Sequence, residues 1–277
     1  MRLSPGPAFS SALSGPPGAP VLVLLHGVAL DVDTNWSLAG DALAAHYRVL
    51  AIDLRGHGKG LPVAGAFHLE DCADDVAAVL LTLGTGPVIP VGFSIGGMVA
   101  QLLWRRHRDL VAGLVLCSTA RNVTGSPLER LLALAMPWAV VTASLFAPFS
   151  PVGTDAIAGP LLDASLTPKQ RRAALAHMRR VPLATALDAM RAACSFSSHL
   201  WIGGVDVPTA VLITSHDRIV APQRQYMLAA AVPGAAVVEI DGDHGVFLAD
   251  PDGFADGLRQ ACAAVTLPVA PPSSTAA

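Results

Sequence analysis

Six short runs of β-branched and leucine residues punctuate the chain: VLVLLHG at 21–27, RVLAIDL at 48–54, PVIPVGF at 87–93, GLVLCST at 113–119, TAVLITS at 209–215 and AVVEID at 236–241. Most are apolar at successive rather than alternate positions, the mark of strands buried on both faces. Between them the spacing lengthens to three and four. In LEDCADDVAAVLLTL at 69–83, Leu69, Cys72, Val76, Leu80 and Leu83 share one face with acids between them, and Gly84 closes the helix. Further helical patterns cover 95–107, 222–232 and 252–264. This alternation predicts an α/β chain, a doubly wound and mostly parallel sheet with helices on both faces.

The rhythm stops between about 122 and 203. There Thr167 and Pro168 form an N-cap and first-turn pair for PKQRRAALAHMRR, and PLATALDAMRAAC follows. The chain therefore divides into a Pro/Gly/Ser-rich lead-in at 1–20, a core at 21–121 and 204–266, a helical cap inserted at 122–203, and a low-complexity tail at 267–277 expected to be disordered.

Chemistry enters at GFSIGG, residues 92–97, where a strand pattern gives way to a helix pattern. A serine in G-x-S-x-G at such a turn is lifted above the sheet, because side chains at Gly92 and Gly96 would collide with neighbouring elements. The helix that follows aims its N-terminus at the same place, where partial positive charge favours a developing oxyanion. The bland reading is a glycine-rich turn whose serine caps a helix. As a nucleophile, Ser94 needs a base.

Nine histidines compete for that role. His244, in DGDHGVFLADP, follows the last strand run at the end of the sheet where parallel-sheet sites gather. His26 and His57 fall near the same end but read as turn-building residues, and His68, His107, His177 and His199 lie in or near helical patterns. Asp217, directly after the run at 209–215, ranks first as the acid that orients His244, ahead of Asp241 and Asp243, which lie too close in sequence to face its ring. The order Ser94, Asp217, His244 differs from both common serine-protease orders.

The chain resembles the α/β-hydrolase superfamily, in its capped esterase, lipase and haloperoxidase-like branch. LLHGVALDVDTNW resembles the family's H-G-x segment, DLRGHGKG its D-x-R-G-x-G turn, GFSIGG its nucleophile elbow, HDRIVAP its acid loop and GDHGVFLADP its histidine loop. The resemblance implies an oxyanion hole made by the backbone N–H groups of Val28 and Ile95. Dehalogenases and soluble epoxide hydrolases of this fold carry aspartate where this chain has Ser94, and C–C bond hydrolases usually carry asparagine where it has Phe93. Val28 stands where haloperoxidase-like members often have a bulky aromatic residue, which leaves perhydrolysis open. The expected reaction is hydrolysis of a carboxylic ester through an acyl-enzyme. Acyl transfer, thioester cleavage or lyase chemistry on the same residues, or low-turnover ligand binding, are the rivals.

Composition adjusts this picture in four ways. A net charge of -3 with scattered Lys and Arg excludes a nucleic-acid footprint. Four cysteines without close pairing suit reduced core thiols, and no cluster of metal-ligand residues is seen, so neither metal nor organic cofactor is expected. The lead-in lacks the unbroken apolar segment of a secretory signal, and a cytoplasmic location is expected. Finally, LLALAMPWAVVTASLF at 131–146 is nearly uncharged, yet it is short of the roughly 20 residues of a membrane span and Pro137 interrupts it. Such a surplus of apolar side chains in the cap suggests a small, largely apolar ester as substrate, with Trp36, Phe93, Trp138 and Phe146 as candidate contacts. The sequence leaves the oligomeric state open, a homo-oligomer included.

Overall fold

The computed structural model describes residues 13–124 and 166–266, with isolated positions at 131, 135, 138, 140–142, 153, 154 and 162 between them. Residues 1–12 of the expected lead-in, most of 125–165 and the expected disordered tail lie outside the described residues.

Six strands form one sheet: β1 Val21–Leu25, β2 Arg48–Ile52, β3 Ile89–Phe93, β4 Leu114–Cys117, β5 Thr209–Thr214 and β6 Ala236–Ile240. Their order is β2-β1-β3-β4-β5-β6, and every neighbouring pair is parallel. The continuous apolar runs are explained by packing on both faces. In β1, Val21, Val23 and Leu25 enter one core cluster while Leu22 and Leu24 enter the other, and in β5 Val211 and Ile213 oppose Ala210 and Leu212 in the same way. The first cluster is completed by helices α2 Leu69–Leu83 and α3 Ile95–Arg106. An additional helix, α1 Val32–Ala44, contributes Trp36, Ala39 and Leu43 to the second cluster.

The pattern of apolar positions gives no forecast of α1. Its start is a side-chain cap, Asp31 accepting the Thr34 N–H at 2.8 Å. After β4 the chain leaves the sheet and returns through α4 Pro168–Met178 and α5 Leu183–Ser195 before β5. Thr167 is the N-cap of α4, as expected, and closes a capping box with Gln170. Side chains tie both helices to the sheet-bearing part: Gln170 Nε2 donates to Leu248 O at 3.0 Å, while Asp188 and Arg191 hold the backbone N–H and C=O of buried Phe67. Three helices complete the described residues, α6 Pro222–Ala229, α7 Val246–Ala249 and α8 Pro251–Thr266.

The two sheet edges differ. Ser14 bridges to Val49 and covers part of β2, whereas β6 is the terminal strand on the other side, with Val237 half exposed. Among the described residues, no helix is long and apolar enough to cross a membrane. None of the four cysteines is in a disulfide, and burial pushes the Cys262 thiol up to about 12 and Cys117 well above the ordinary thiol range.

Candidate active site

One residue separates β3 from α3, and that residue is Ser94. Its backbone sits at φ 54, ψ -117, in a region that non-glycine residues rarely occupy. The flanking glycines explain how the turn closes. A Cβ on Gly92 would lie 2.3 Å from the Gly96 carbonyl oxygen, and one on Gly96 would lie 2.2 Å from that of Leu25 in β1. Both close approaches are between backbones, so neither can be relieved by a rotamer change. The Ser94 N–H donates to Cys117 O at 2.9 Å, and the Thr119 hydroxyl donates to Ser94 O at 2.7 Å, anchoring the turn to the end of β4.

His244 follows β6, and its Nε2 lies 3.0 Å from Ser94 Oγ. Its Nδ1 lies 2.8 Å from Asp217 Oδ2. Since the carboxylate can only accept, Nδ1 carries the proton and Nε2 is left free to accept from the serine hydroxyl. The imidazole rests against Phe93, ring centroids 5.0 Å apart, and Phe93 in turn meets Phe247 and Phe254 edge-on. Asp217, with a fully buried side chain, follows β5. Its Oδ1 accepts the N–H groups of Ile219 and Val220 at 2.8 Å each, and its Oδ2 accepts from Thr214, Gln225 and His244.

The rival acids are engaged elsewhere. Asp243 pairs with Arg218 and accepts the His244 backbone N–H. Burial pushes its pKa up, but these bonds outweigh that and hold the carboxyl below its usual range. Asp241 pairs with His216 at the surface.

His26 and His57 brace the loop after β1. His26 donates from Nδ1 to Gly27 O at 2.7 Å and accepts the Leu54 N–H at Nε2, while His57 donates from Nδ1 to Arg55 O and accepts the Ala29 N–H at Nε2. Asn35 Oδ1 takes the Gly27 N–H. Among the described residues, no hydrogen bond engages the N–H groups of Val28 and Ile95.

Neutral imidazoles are essential to these bonds, and burial lowers both pKa values to about 4, with the neighbouring His26 also opposing charge on His57. Between about pH 6.5 and 4 the unfolded chain binds protons at these sites that the native state refuses, so stability falls as pH falls through that window. Each histidine would contribute roughly 3 kcal/mol to the loss. Denaturant midpoints measured from pH 7 to 4.5 should decline steeply, and His57→Gln, whose side-chain oxygen can still accept the Ala29 N–H, should flatten the decline. A wild-type midpoint constant over this range would contradict the assignment.

Two of the expected substrate contacts are buried. Trp36 is 1% exposed and stacks on Phe254 inside the core, and Phe93 is 1% exposed beneath His244. Each ring is used up in packing, so neither offers surface to a substrate. Trp138 is 76% exposed, which takes it out of any enclosed pocket, and Phe146 lies outside the described residues. Thr119, Thr214 and Gln225 were not singled out from sequence. The available signal for Gln225 was its spacing to Leu228 and Ala229, which places it on the inward face of α6.

The family model described as "alpha/beta hydrolase fold" matches residues 20–251. Among curated relatives, a bifunctional esterase/perhydrolase from Acinetobacter calcoaceticus is 38% identical over 124 residues, covering 42% of this chain and 45% of the relative. The chain thus matches less than half the length of that relative. A pimeloyl-[acyl-carrier protein] methyl ester esterase from Xanthomonas campestris pv. campestris is 28% identical, with 89% of this chain and 96% of the relative covered. Among solved structures, a thermophilic esterase from Thermogutta terrifontis superposes with a TM-score of 0.78 at 27% identity, covering 92% of both chains.

Proposed function

Because the chain belongs to the alpha/beta hydrolase fold family, we propose that it is a serine hydrolase that cleaves the carboxylic ester of a small, largely apolar substrate through an acyl-enzyme. The observation that carries this reading is the continuous relay from Ser94 Oγ to His244 at 3.0 Å and from His244 to Asp217 at 2.8 Å. His244 Nε2 takes the serine proton as Oγ attacks the ester carbonyl, and Asp217 stabilises the imidazolium. The partnerless N–H groups of Val28 and Ile95 receive the oxyanion, and the N-terminal end of α3 adds its partial positive charge. Collapse expels the alcohol with the proton held on His244. Water, activated by the same imidazole, then attacks the acyl-Ser94 ester and releases the acid.

The helices between β4 and β5 form the cap in this reading. Apolar selectivity is supported by its composition: LLALAMPWAVVTASLF at 131–146 is nearly free of charge and would supply an apolar lining. A methylene buried against such surface is worth about 0.8 kcal/mol, close to fourfold in kcat/KM. With p-nitrophenyl esters, kcat/KM should rise from acetyl to hexanoyl by at least about tenfold overall. A flat profile, or a preference for charged acyl groups, would count against the apolar reading while leaving ester cleavage itself intact.

A further inference from the structure

Gln225 is fully buried on α6, where the sequence around it, PQRQYMLA, mixes polar and apolar residues. Its amide is saturated. Oε1 accepts the Thr214 N–H at 3.1 Å, and Nε2 lies 3.0 Å from Thr214 Oγ1, 3.0 Å from Asp217 Oδ2 and 2.7 Å from Val220 O. This arrangement fixes the amide orientation. Turned over, it would set an oxygen against a carboxylate and a carbonyl, and an NH2 group against a backbone N–H. One side chain thereby joins the end of β5, the acid and the loop beyond it.

The oxygen it reaches is the one that faces His244. Asp217 Oδ2 accepts from His244 Nδ1 and Thr214 Oγ1 at 2.8 Å each, and from Gln225. Oδ1 is pinned by two backbone donors, so donors to Oδ2 set both the direction of the carboxylate and the charge it presents to the imidazole. Resting on the hydrolase reading above, we infer that Gln225 is a positioning residue of that reaction, aligning Asp217 with His244 and moderating the charge on the shared oxygen.

The groups around the relay define what a substitution would change. Besides Asp217, the ionisable group bonded to His244 among the described residues is Asp243, which pairs with Arg218. Arg224, beside Gln225 on α6, reaches the Asn122 carbonyl. Gln225→Met keeps the length of the side chain and deletes both the donor and the acceptor. Oδ2 then carries more of the carboxylate charge and favours the imidazolium, so the base is lost to protonation at a higher pH than in wild type.

The test compares wild type, Gln225→Met and Gln225→Glu by pH profiles of ester hydrolysis, with rates expressed per phosphonate-titrated site so that misfolded protein does not count. For the methionine variant, kcat should fall roughly 10- to 100-fold with little change in KM. Its acidic limb of kcat/KM should move up by about half to one pH unit. Gln225→Glu still accepts from Thr214 and can donate to Asp217 while protonated, so it should retain rate at low pH and lose it as pH rises and two carboxylates face each other. Variants that keep the shape of the wild-type profile, whether or not kcat drops, would reduce Gln225 to core packing and overturn the inference. Failure of wild type itself to hydrolyse esters or to be labelled at Ser94 would instead overturn the hydrolase reading.

Discussion

Replacing Ser94 with alanine is expected to lower kcat for ester hydrolysis by on the order of 10⁵- to 10⁶-fold, with KM little changed. Without Oγ no acyl-enzyme forms, and His244 can at best activate water from a position built for a covalent nucleophile. Some acceleration should survive, since the N–H groups of Val28 and Ile95 do not depend on the serine side chain. The fold should be untouched. Ser94 is held through its backbone, by the bonds to Cys117 O and from Thr119 Oγ1, and both persist in the alanine variant. Active-site mass labelling with a fluorophosphonate gives an independent readout: wild type should gain one adduct at Ser94 and the variant none. An adduct that survives the substitution, or turnover within tenfold of wild type, would remove Ser94 from the mechanism.

The second large effect is expected at Asp217→Asn, with kcat reduced by roughly 10⁴-fold. The cause lies in the five donors that converge on this carboxylate. Asparagine has one oxygen and an NH2 group, and either orientation sets that NH2 against donors. The backbone N–H groups of Ile219 and Val220 cannot rotate away, so the oxygen should stay with them and the NH2 should face His244. His244 must then accept at Nδ1 and carry its proton on Nε2, toward Ser94, in the tautomer that cannot take the serine proton. The variant should bind substrate normally, acylate slowly and melt at a lower temperature than wild type, because a buried donor set has lost its acceptor. Turnover within tenfold of wild type would show that another acid serves His244, and Asp243→Asn would be the next variant to measure.

The sheet could be read from sequence because β1 to β5 bury both faces, so the apolar signal was continuous. β6 is an edge strand whose exposure alternates along its length. The positions of Ser94, Asp217 and His244 at strand ends were legible for a related reason: a parallel sheet delivers all its C-terminal strand ends to one side. What could not be read was inward-facing polarity. Gln225 and the Asp188–Arg191 pair look like solvated helix residues, and only contacts made from 8 to 124 positions away in the chain reveal otherwise. The first helix was missed since Asn35, Ser37, Gly40 and Asp41 dilute its pattern, although Asp31 as a cap and Trp36, Ala39 and Leu43 at helical spacing were present. His26 and His57 read as turn-building residues, but their bonds were hidden, because a neutral histidine that both donates and accepts serves as a backbone clamp only when two loops meet.

The backbone at Ser94 carries a further consequence. Its φ of 54 with ψ of -117 is a conformation that glycine adopts freely and serine does not, at a cost on the order of 1–3 kcal/mol. The turn cannot relax, because Gly92 and Gly96 already bring backbone against backbone. Folding by itself therefore disfavours the residue found at this position. Under selection for thermal robustness alone the site would drift toward glycine, and the chain would become sturdier as it became inert. On the hydrolase reading, that strain is the stability given up for turnover at a single position.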